Sequence, residues 1–234
     1  MKLNSDFAQR AVVHAAALPW TPSPMPGVER RMLDRVGGEI ARATSIVRYA
    51  PGSHFSPHAH DGGEEFLVLE GVFQDEHGDY PAGAYLRNPP GSSHTPGSTA
   101  GCTIFVKLWQ FEADDRTSVR QRTRAQDLSR DPRRSGVRQM VLHQDKCESV
   151  RLEQWAPGTL VDVDLPGGAE ILGLDGSFTE SSEEFTALSW LRLPCGARLR
   201  AKAGTAGARV WIKDGHLAHV MAQLERLPGS RLLP

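Results

Sequence analysis

The chain has 234 residues, of which 39% are hydrophobic and 24% charged, so it can bury a sizeable core in one large domain or two small ones. Its formal net charge of −1 excludes a general attraction to nucleic acid or to an anionic membrane. The three cysteines are widely spaced and odd in number, which argues against a disulfide framework and favours a reducing compartment. No apolar run reaches membrane-spanning length. We therefore expect a cytoplasmic protein.

Short apolar runs bounded by glycine and proline follow one another along the chain. Examples are ATSIVRYAPG, EEFLVLEG, CTIFVKLWQF, AEILGLDG and ARVWIKDG. Each run has the length of a strand and ends at turn residues. Many short strands at regular spacing are typical of a β-sandwich or β-barrel, so we predict an all-β protein.

Four segments of the chain recur at a nearly constant offset of 105 or 106 residues. The pairs are VRYAPG (47–52) with LEQWAPG (152–158), GGEEFLVLEG (62–71) with GGAEILGLDG (167–176), PPG (89–91) with PCG (194–196), and TIFVKLW (103–109) with ARVWIKD (208–214). One offset held across four segments indicates two copies of one β domain. We predict a first domain at 1–116 and a second at 139–234.

An arginine-rich segment lies between the two copies. Residues 114–138 contain eight arginines, a pattern that could bind nucleic acid or an acidic partner. Because the total charge is close to zero, we favour a solvated linker at 117–138 and no nucleic-acid partner.

Metal-ligating residue types gather in the first copy. His58 and His60 are two positions apart, so on a strand their imidazoles point to the same face. Glu64 follows a Gly-Gly bend and begins the next apolar run. The best fourth candidate is His94, in a turn rich in proline and glycine. We predict that His58, His60, Glu64 and His94 hold one metal ion.

The second copy keeps the glycines but loses these four residues. The repeat aligns them, in order, with Asp164, Pro166, Ala169 and Leu199. Proline, alanine and leucine side chains cannot coordinate a metal, so we predict a degenerate second copy without ligands. Glu65, in contrast, aligns with Glu170. We therefore expect Glu65 to serve the scaffold through a hydrogen bond or ion pair, and not the metal.

Two motifs in the first copy resemble the signatures of the cupin superfamily. The first is formed by Gly52, His58, His60, Glu64 and Gly71, and the second by Gly83, Pro89, Gly91 and His94. Ser98 stands where the second signature has asparagine. The sequence of residues 62–96 resembles the cupin domain of the anti-sigma factor ChrR more closely still. The resemblance implies two tandem cupin barrels (the RmlC-like jelly roll, or double-stranded β-helix) with a divalent metal in the first.

The ligand set does not select the metal. Three imidazoles and one carboxylate suit Zn, Fe, Mn, Ni or Cu. A tetrahedral zinc would be nearly closed, and its role would be structural or sensory. An octahedral iron would keep open positions for substrate and dioxygen.

Three functions are compatible with this pattern. The resemblance to ChrR implies a sensor of oxidative stress, or a binder of a small organic effector, in transcriptional regulation. Its partner would be a sigma factor or another regulatory protein. The residues before Gly52 contain no cysteine, so a zinc-type anti-sigma domain is not visible there. We favour this regulatory function and expect a homodimer, because cupins often pair through their sheets.

The second function is a metal-dependent dioxygenase that cleaves a diketone, a hydroxyketone or a flavonol-like substrate. Strand position gives five pocket candidates for its small-molecule ligand: Phe66, Val68, Tyr85, Arg87 and Trp109. Arg87 would either stabilise an anionic enolate or serve as an exposed structural arginine. The third function is a storage or binding module without catalysis, because cupins host many chemistries.

Overall fold

The computed structural model describes residues 1–228 and consists mainly of antiparallel strands, which confirms the all-β class. The first fourteen strands are β1 (Lys2–Leu3), β2 (Ala11–His14), β3 (Thr21–Pro22), β4 (Val28–Gly37), β5 (Ala41–Tyr49), β6 (Ser53–His54), β7 (His58–His60), β8 (Glu64–Asp75), β9 (Gly78–Pro81), β10 (Ala84–Asn88), β11 (Ser92–His94), β12 (Gly97–Ser98), β13 (Cys102–Leu108) and β14 (Val119–Arg122). The remaining strands are β15 (Ser129–Arg130), β16 (Val137–Gln144), β17 (Ser149–Trp155), β18 (Leu160–Leu165), β19 (Ala169–Glu180), β20 (Glu183–Phe185), β21 (Ser189–Leu193) and β22 (Ala197–Asp214). The helical segments are three short 3-10 turns, at Ala15–Ala17, Ala125–Asp127 and His216–His219, and the helix α1 (Val220–Glu225).

The chain divides into two units. Unit 1 contains Met1–Ser5, Pro19–Thr123 and residues 221–228, and unit 2 contains Asp6–Leu18 and Arg124–Val220. These bounds differ from the predicted domains in four places. Residues 6–18 join unit 2, and the start of the predicted linker, 117–123, joins unit 1. The rest of the linker, 124–138, joins unit 2, and the helical region after Val220 joins unit 1.

Edge strands explain the first two differences. In unit 1, β14 lies inside the predicted linker and pairs with β10, with Arg122 opposite Ala84. In unit 2, β2 pairs with β21, with Ala11 opposite Arg192. An unpaired sheet edge leaves a row of N–H and C=O groups exposed, and both strands cover such an edge. The segment that precedes each repeat therefore supplies an edge strand to the other unit.

The two units share one pattern of strand pairing. In unit 1, β8 lies between β13 and β10, and β13 also pairs with β5. In unit 2, β19 lies between β22 and β21, and β22 also pairs with β17. The small β7–β11 sheet of unit 1 corresponds to the pairing of β18 with the first residues of β22. The repeat seen in the sequence is thus present in the topology.

Alternating residues of the long strands fill the inside of each unit. The core of unit 1 includes Phe66, Val68, Phe73, Leu86 and Ile104. The core of unit 2 includes Trp155, Ile171, Phe178, Leu199 and Ile212. Burial of these side chains supplies the main driving force for folding. Within residues 1–228, no helix is both long and apolar enough to cross a membrane.

Candidate metal centre

Two short paired strands bring the three predicted histidines together. Strand β7 pairs with β11 so that His58 lies opposite His94 and His60 opposite Ser92. Directly opposite residues of an antiparallel pair share one face. His58 and His60 share that face because they are two positions apart. The register therefore directs all three imidazoles to the same side.

A tight turn carries the chain from β7 to Glu64, the first residue of β8. Gly63 has a φ of +76°, which favours glycine. A Cβ atom at Gly62 would overlap the indole of Trp109, and one at Gly63 would overlap the ring of Phe111. The Gly-Gly pair is required because two aromatic rings pack against its backbone. This turn places Glu64 beside the histidines.

The donor atoms lie at distances suited to a single ion. Nε2 of His60 is 2.9 Å from Nε2 of His94. Oε2 of Glu64 is 3.4 Å from Nε2 of His60 and 3.5 Å from Nε2 of His94. One ligand nitrogen from each of His58, His60 and His94 lies within 4.8 Å of the others. Ligand bonds of about 2.0–2.1 Å to one ion place neighbouring donors roughly 3–3.5 Å apart.

The centre is closed on one side and open on the other. His94 is 4% exposed and Glu64 is 7% exposed, and the ring of Phe73 lies 5.8 Å from the ring of His94. His58 is exposed. A bound ion would therefore have the apolar core on one side, and solvent would reach it past His58.

Two polar side chains support the presumptive ligands from behind. Nδ2 of Asn88 donates a hydrogen bond of 3.2 Å to Oε2 of Glu64. Oδ2 of Asp75 lies 3.5 Å from Nδ1 of His94, the ring nitrogen that faces away from the other histidines. Metal-bound histidines commonly donate their second N–H to a carboxylate, which fixes the ring and its tautomer. Asp75 is placed to do this for His94.

Sequence reasoning missed Asp75 because a β-bulge changes the side to which it points. Glu64 and Val68 face the core, and counting by two from them places Asp75 outside. The pairing of β8 with β13 skips Leu69, since Ile104 pairs with Val68 while the residue before it pairs with Glu70. One extra residue on a strand inverts the alternation that follows. Asp75 therefore points inward, with its side chain 1% exposed.

Burial and the nearby carboxylates shift the pKa values of His60 and His94 in opposite directions. Burial lowers the pKa of His60 and outweighs the attraction of Glu64. Burial also acts downward on His94, but Asp75 and Glu64 outweigh it and raise the pKa of His94 above its ordinary value. Burial acts upward on Asp75, yet His94 and the backbone N–H of His77 hold its pKa below the usual range. An ionised Asp75 thus faces His94.

Glu65 belongs to the scaffold, as its recurrence in the second copy suggested. The hydroxyl of Tyr85 donates a hydrogen bond of 2.6 Å to Oε1 of Glu65. In unit 2, Nε1 of Trp190 donates a bond of 3.0 Å to Oε2 of Glu170. All of these side chains are buried. The two adjacent glutamates therefore have separate partners. The hydrogen bond between Glu65 and an aromatic side chain has a counterpart at Glu170 in unit 2.

The five predicted pocket residues divide between the two faces of the sheet. Phe66 and Val68 lie in the core of unit 1, on the same face of β8 as Glu64. Tyr85 and Arg87 pair opposite Leu67 and Glu65, which places them on the other face. Arg87 forms a buried ion pair of 2.7 Å with Asp115 and stacks over Phe111. Trp109 packs on Gly62. Tyr85 and Arg87 therefore do not face the histidines.

The strand register corrects the alignment of the second copy. The predicted counterparts of His58 and His60 were Asp164 and Pro166. His58 pairs with His94 as Val163 pairs with Leu199, and His60 pairs with Ser92 as Leu165 pairs with Ala197. The residue lost between the copies thus lies before His58, in the loop after Gly52. The true counterparts of the four presumptive ligands are Val163, Leu165, Ala169 and Leu199.

The donor set of unit 1 fits a divalent ion. It offers imidazole nitrogens and a carboxylate at the spacing of one coordination sphere. Oδ2 of Asp75 and Nδ1 of His94 are buried and have no other hydrogen-bond partner among the described residues. An ion on Nε2 of His94 would fix the tautomer that carries a proton on Nδ1, and Asp75 would accept that proton's hydrogen bond.

Residues 8–112, which are 105 of the 234 residues, match the family described as the ChrR Cupin-like domain. The matched range includes every predicted ligand. This match confirms the resemblance to the cupin domain of ChrR. None of the curated proteins compared with the chain matches it.

Solved structures with the cupin fold match most of the chain. A candidate dioxygenase from Nostoc punctiforme has a TM-score of 0.71 at 13% identity, covering 90% of this chain and 84% of that one. A candidate glyoxylate-induced protein from Pseudomonas aeruginosa has a TM-score of 0.68 at 15% identity, covering 88% of both chains. The bacterial pirin YhhW of Escherichia coli, solved in complex with nickel(II), has a TM-score of 0.61 at 14% identity, covering 88% and 98%. At these identities the similarity establishes the fold alone.

Proposed function

We propose that the protein is a metal-binding cupin of the ChrR-like type. Unit 1 holds one divalent ion on His58, His60, His94 and Glu64, and this centre responds to oxidative stress or to a small organic effector in transcriptional regulation. The observation that carries the proposal is the convergence of three imidazoles and a carboxylate inside the region that matches the ChrR Cupin-like domain.

The surroundings of the centre support sensing over turnover of an anionic substrate. Its inner side is lined by apolar residues such as Phe66 and Phe73. Arg87, the cation that was expected to steady an enolate, lies on the opposite face and pairs with Asp115. His58 is exposed, so an oxidant can reach the ligands directly. A sigma factor or another regulatory protein would be the partner that reads the change.

A metal-dependent dioxygenase acting on a diketone, hydroxyketone or flavonol-like substrate is the second candidate. It is favoured by the likeness to the Nostoc punctiforme candidate dioxygenase, which extends over 90% of this chain. Four protein ligands would leave positions free on a five- or six-coordinate ion, which can polarise a bound substrate oxygen. In this function Phe66 and Val68 would contact the apolar part of the substrate.

The metal itself is proposed to be Zn, Fe, Mn or Ni. Imidazole suits several first-row ions, and selection depends on geometry and on metal availability. YhhW, one of the similar structures, contains nickel(II). Elemental analysis of protein purified without added metal identifies the resident ion.

One experiment separates the two functions. The metal-loaded protein is treated with hydrogen peroxide, and released metal and near-ultraviolet circular dichroism are followed. In parallel, oxygen uptake is measured with a panel of diketones, hydroxyketones and flavonols. The regulatory function predicts metal release or a change in tertiary packing at low peroxide, without sustained oxygen uptake.

Sustained oxygen uptake that is lost in His58→Ala would contradict the regulatory function and support the dioxygenase. A protein that binds no divalent ion would contradict both. The matched control is Val163→Ala, which changes the corresponding strand position in unit 2 and should leave metal binding unchanged.

A further inference from the structure

A row of directly opposite polar residues crosses five strands of unit 2. Arg130 on β15 lies opposite Arg138 on β16, and Arg138 lies opposite Gln154 on β17. Gln154 lies opposite Arg209 on β22, which in turn lies opposite Asp175 on β19. Opposite residues share one face, so three guanidinium groups point to the same side of the sheet.

The three guanidinium groups of this row form no ion pair within the described residues, although Asp175 lies opposite Arg209 in the register. The guanidinium of Arg138 donates to the backbone oxygen of Leu128 at 2.6 and 3.2 Å. Like charges directly opposite each other on neighbouring strands are destabilising. Among residues 1–228, no carboxylate lies within 4.0 Å of the guanidinium of Arg130, Arg138 or Arg209. Nε of Arg209 is buried without a hydrogen-bond partner in the described chain. Arg134 is different, because Asp131 and Glu153 pair with it at 2.6 and 2.7 Å.

Two adjoining cavities open beside the row. The larger, of about 620 Å³, is lined by Arg130, Arg138 and Gln154, and the smaller, of about 250 Å³, by Gln154, Asp175 and Arg209. Trp155 lines both. Cavities of roughly 300–1,000 Å³ are typical of small-molecule sites. The larger one therefore has room for an organic molecule and not only for an inorganic ion.

The chemistry of the walls defines the ligand. Arginine presents a planar fork of N–H donors that matches a phosphate or carboxylate group. Ala156, Pro157 and Ala206, which are all exposed, supply apolar surface to the larger cavity. The site therefore suits a molecule with an anionic group at one end and an apolar body at the other.

We propose that the larger cavity of unit 2 binds a small organic anion, whose phosphate or carboxylate group lies between Arg130 and Arg138 and whose apolar body lies along Ala156, Pro157 and Ala206. The site is separate from the histidine cluster and uses none of its residues. It gives the second copy, in which the counterparts of the histidine cluster are apolar, a binding role of its own.

Isothermal titration calorimetry of the full chain with phenyl phosphate, benzoate and benzyl alcohol tests this proposal. Phenyl phosphate or benzoate should bind, and the neutral alcohol should not. Whichever of the two anions binds more tightly identifies the anionic group. Arg138→Gln and Arg130→Gln should each weaken that binding at least tenfold. The matched control is Arg133→Gln, which removes an exposed arginine of the same segment that does not line the cavity, and its affinity should stay within twofold of wild type.

Two further readouts make the test independent of folding and of the metal. Without ligand, Arg130→Gln should be at least as stable as wild type, because it relieves the repulsion between opposite arginines. Removal of metal with EDTA should leave anion binding unchanged. Equal affinity in Arg138→Gln and wild type, equal weakening in Arg133→Gln, or failure of both anions to bind would overturn the proposal.

Discussion

The two units place opposite chemistry at the same positions of one strand framework. His58 pairs with His94 in unit 1 where Val163 pairs with Leu199 in unit 2. Val163, Leu165, Ala169 and Leu199, the counterparts of the four presumptive ligands, all belong to the hydrophobic core of unit 2 or pack against it. The same strand framework can thus enclose either a cluster of candidate metal ligands or a continuous apolar core.

The comparison separates residues that stabilise the fold from residues that form the candidate metal site. The buried glutamates Glu65 and Glu170 occur in both units and accept hydrogen bonds from an aromatic side chain, Tyr85 or Trp190. The two residues that support the candidate ligands differ in this respect. Asn88 corresponds to the apolar Leu193, as the pairing of each residue with the start of the long strand shows. Asp75 corresponds to Glu180, a buried carboxylate that pairs with Arg10 instead of with a histidine.

The largest expected effect comes from removing ligands in unit 1. The double variant His58→Ala, His94→Ala leaves one imidazole and one carboxylate, too few to hold an ion tightly. Metal content measured by inductively coupled plasma mass spectrometry should fall from about one ion per chain to near zero. The double variant Val163→Ala, Leu199→Ala changes the matching positions of unit 2. Its metal content should equal that of wild type, and a loss there would break the comparison.

Leu199→Ala alone should lower the free energy of unfolding by about 2–5 kcal/mol, because it leaves a cavity in a packed core. Leu199 is 3% exposed. Urea denaturation followed by tryptophan fluorescence measures the change. A loss below about 1 kcal/mol would mean that this position is not a core position in the sense proposed here.

The ligand positions could be predicted from the sequence because they follow from local rules. The two-residue spacing of His58 and His60 fixes their shared face, and the register of a strand whose face is buried is strongly specified. The alignment with the second copy was wrong by one residue at His58 and His60. The segment between Gly52 and His58 has one residue more than the segment between Gly158 and Val163, and sequence similarity did not locate that difference. Strand pairing located it because a one-residue slip would turn every side chain to the other face.

Asp75→Asn should weaken metal binding by about 10–100-fold, the usual effect of removing a carboxylate that orients a metal-bound histidine. Competition titration with a chromophoric chelator measures the dissociation constant. The corresponding position of unit 2 is Glu180, whose carboxylate pairs with Arg10 at 2.7 Å. Glu180→Gln should leave the metal dissociation constant unchanged. An unchanged constant in Asp75→Asn would show that His94 does not depend on Asp75 for its orientation.

Asp75, Tyr85 and Arg87 mark the limit of what alternation along a strand can predict. The bulge at Leu69 reverses the side to which Asp75 points, and the residue types in EFLVLEG do not indicate a bulge there. Tyr85 and Arg87 were assigned to the pocket without knowledge of the β8–β10 register, which places them opposite Leu67 and Glu65. Both features depend on pairing between distant segments and not on the local pattern.

The smallest expected effect is a loss of stability that is similar in the two units. Glu65→Gln and Glu170→Gln each weaken a buried hydrogen bond to an aromatic donor, and each should lower the free energy of unfolding by about 1–3 kcal/mol. Both variants should keep the metal affinity of wild type. Urea denaturation and chelator competition on the same samples provide the two values. A metal affinity that falls in Glu65→Gln but not in Glu170→Gln would place Glu65 in the centre and not in the scaffold.

The central claim is that the chain holds one ion, and that it lies in unit 1. X-ray diffraction from crystals of the metal-loaded protein, recorded above and below the absorption edge of the resident metal, tests it directly. We predict one anomalous peak per chain, bounded by His58, His60, Glu64 and His94. A peak near Val163 and Leu199, or none between the three histidines, would contradict it.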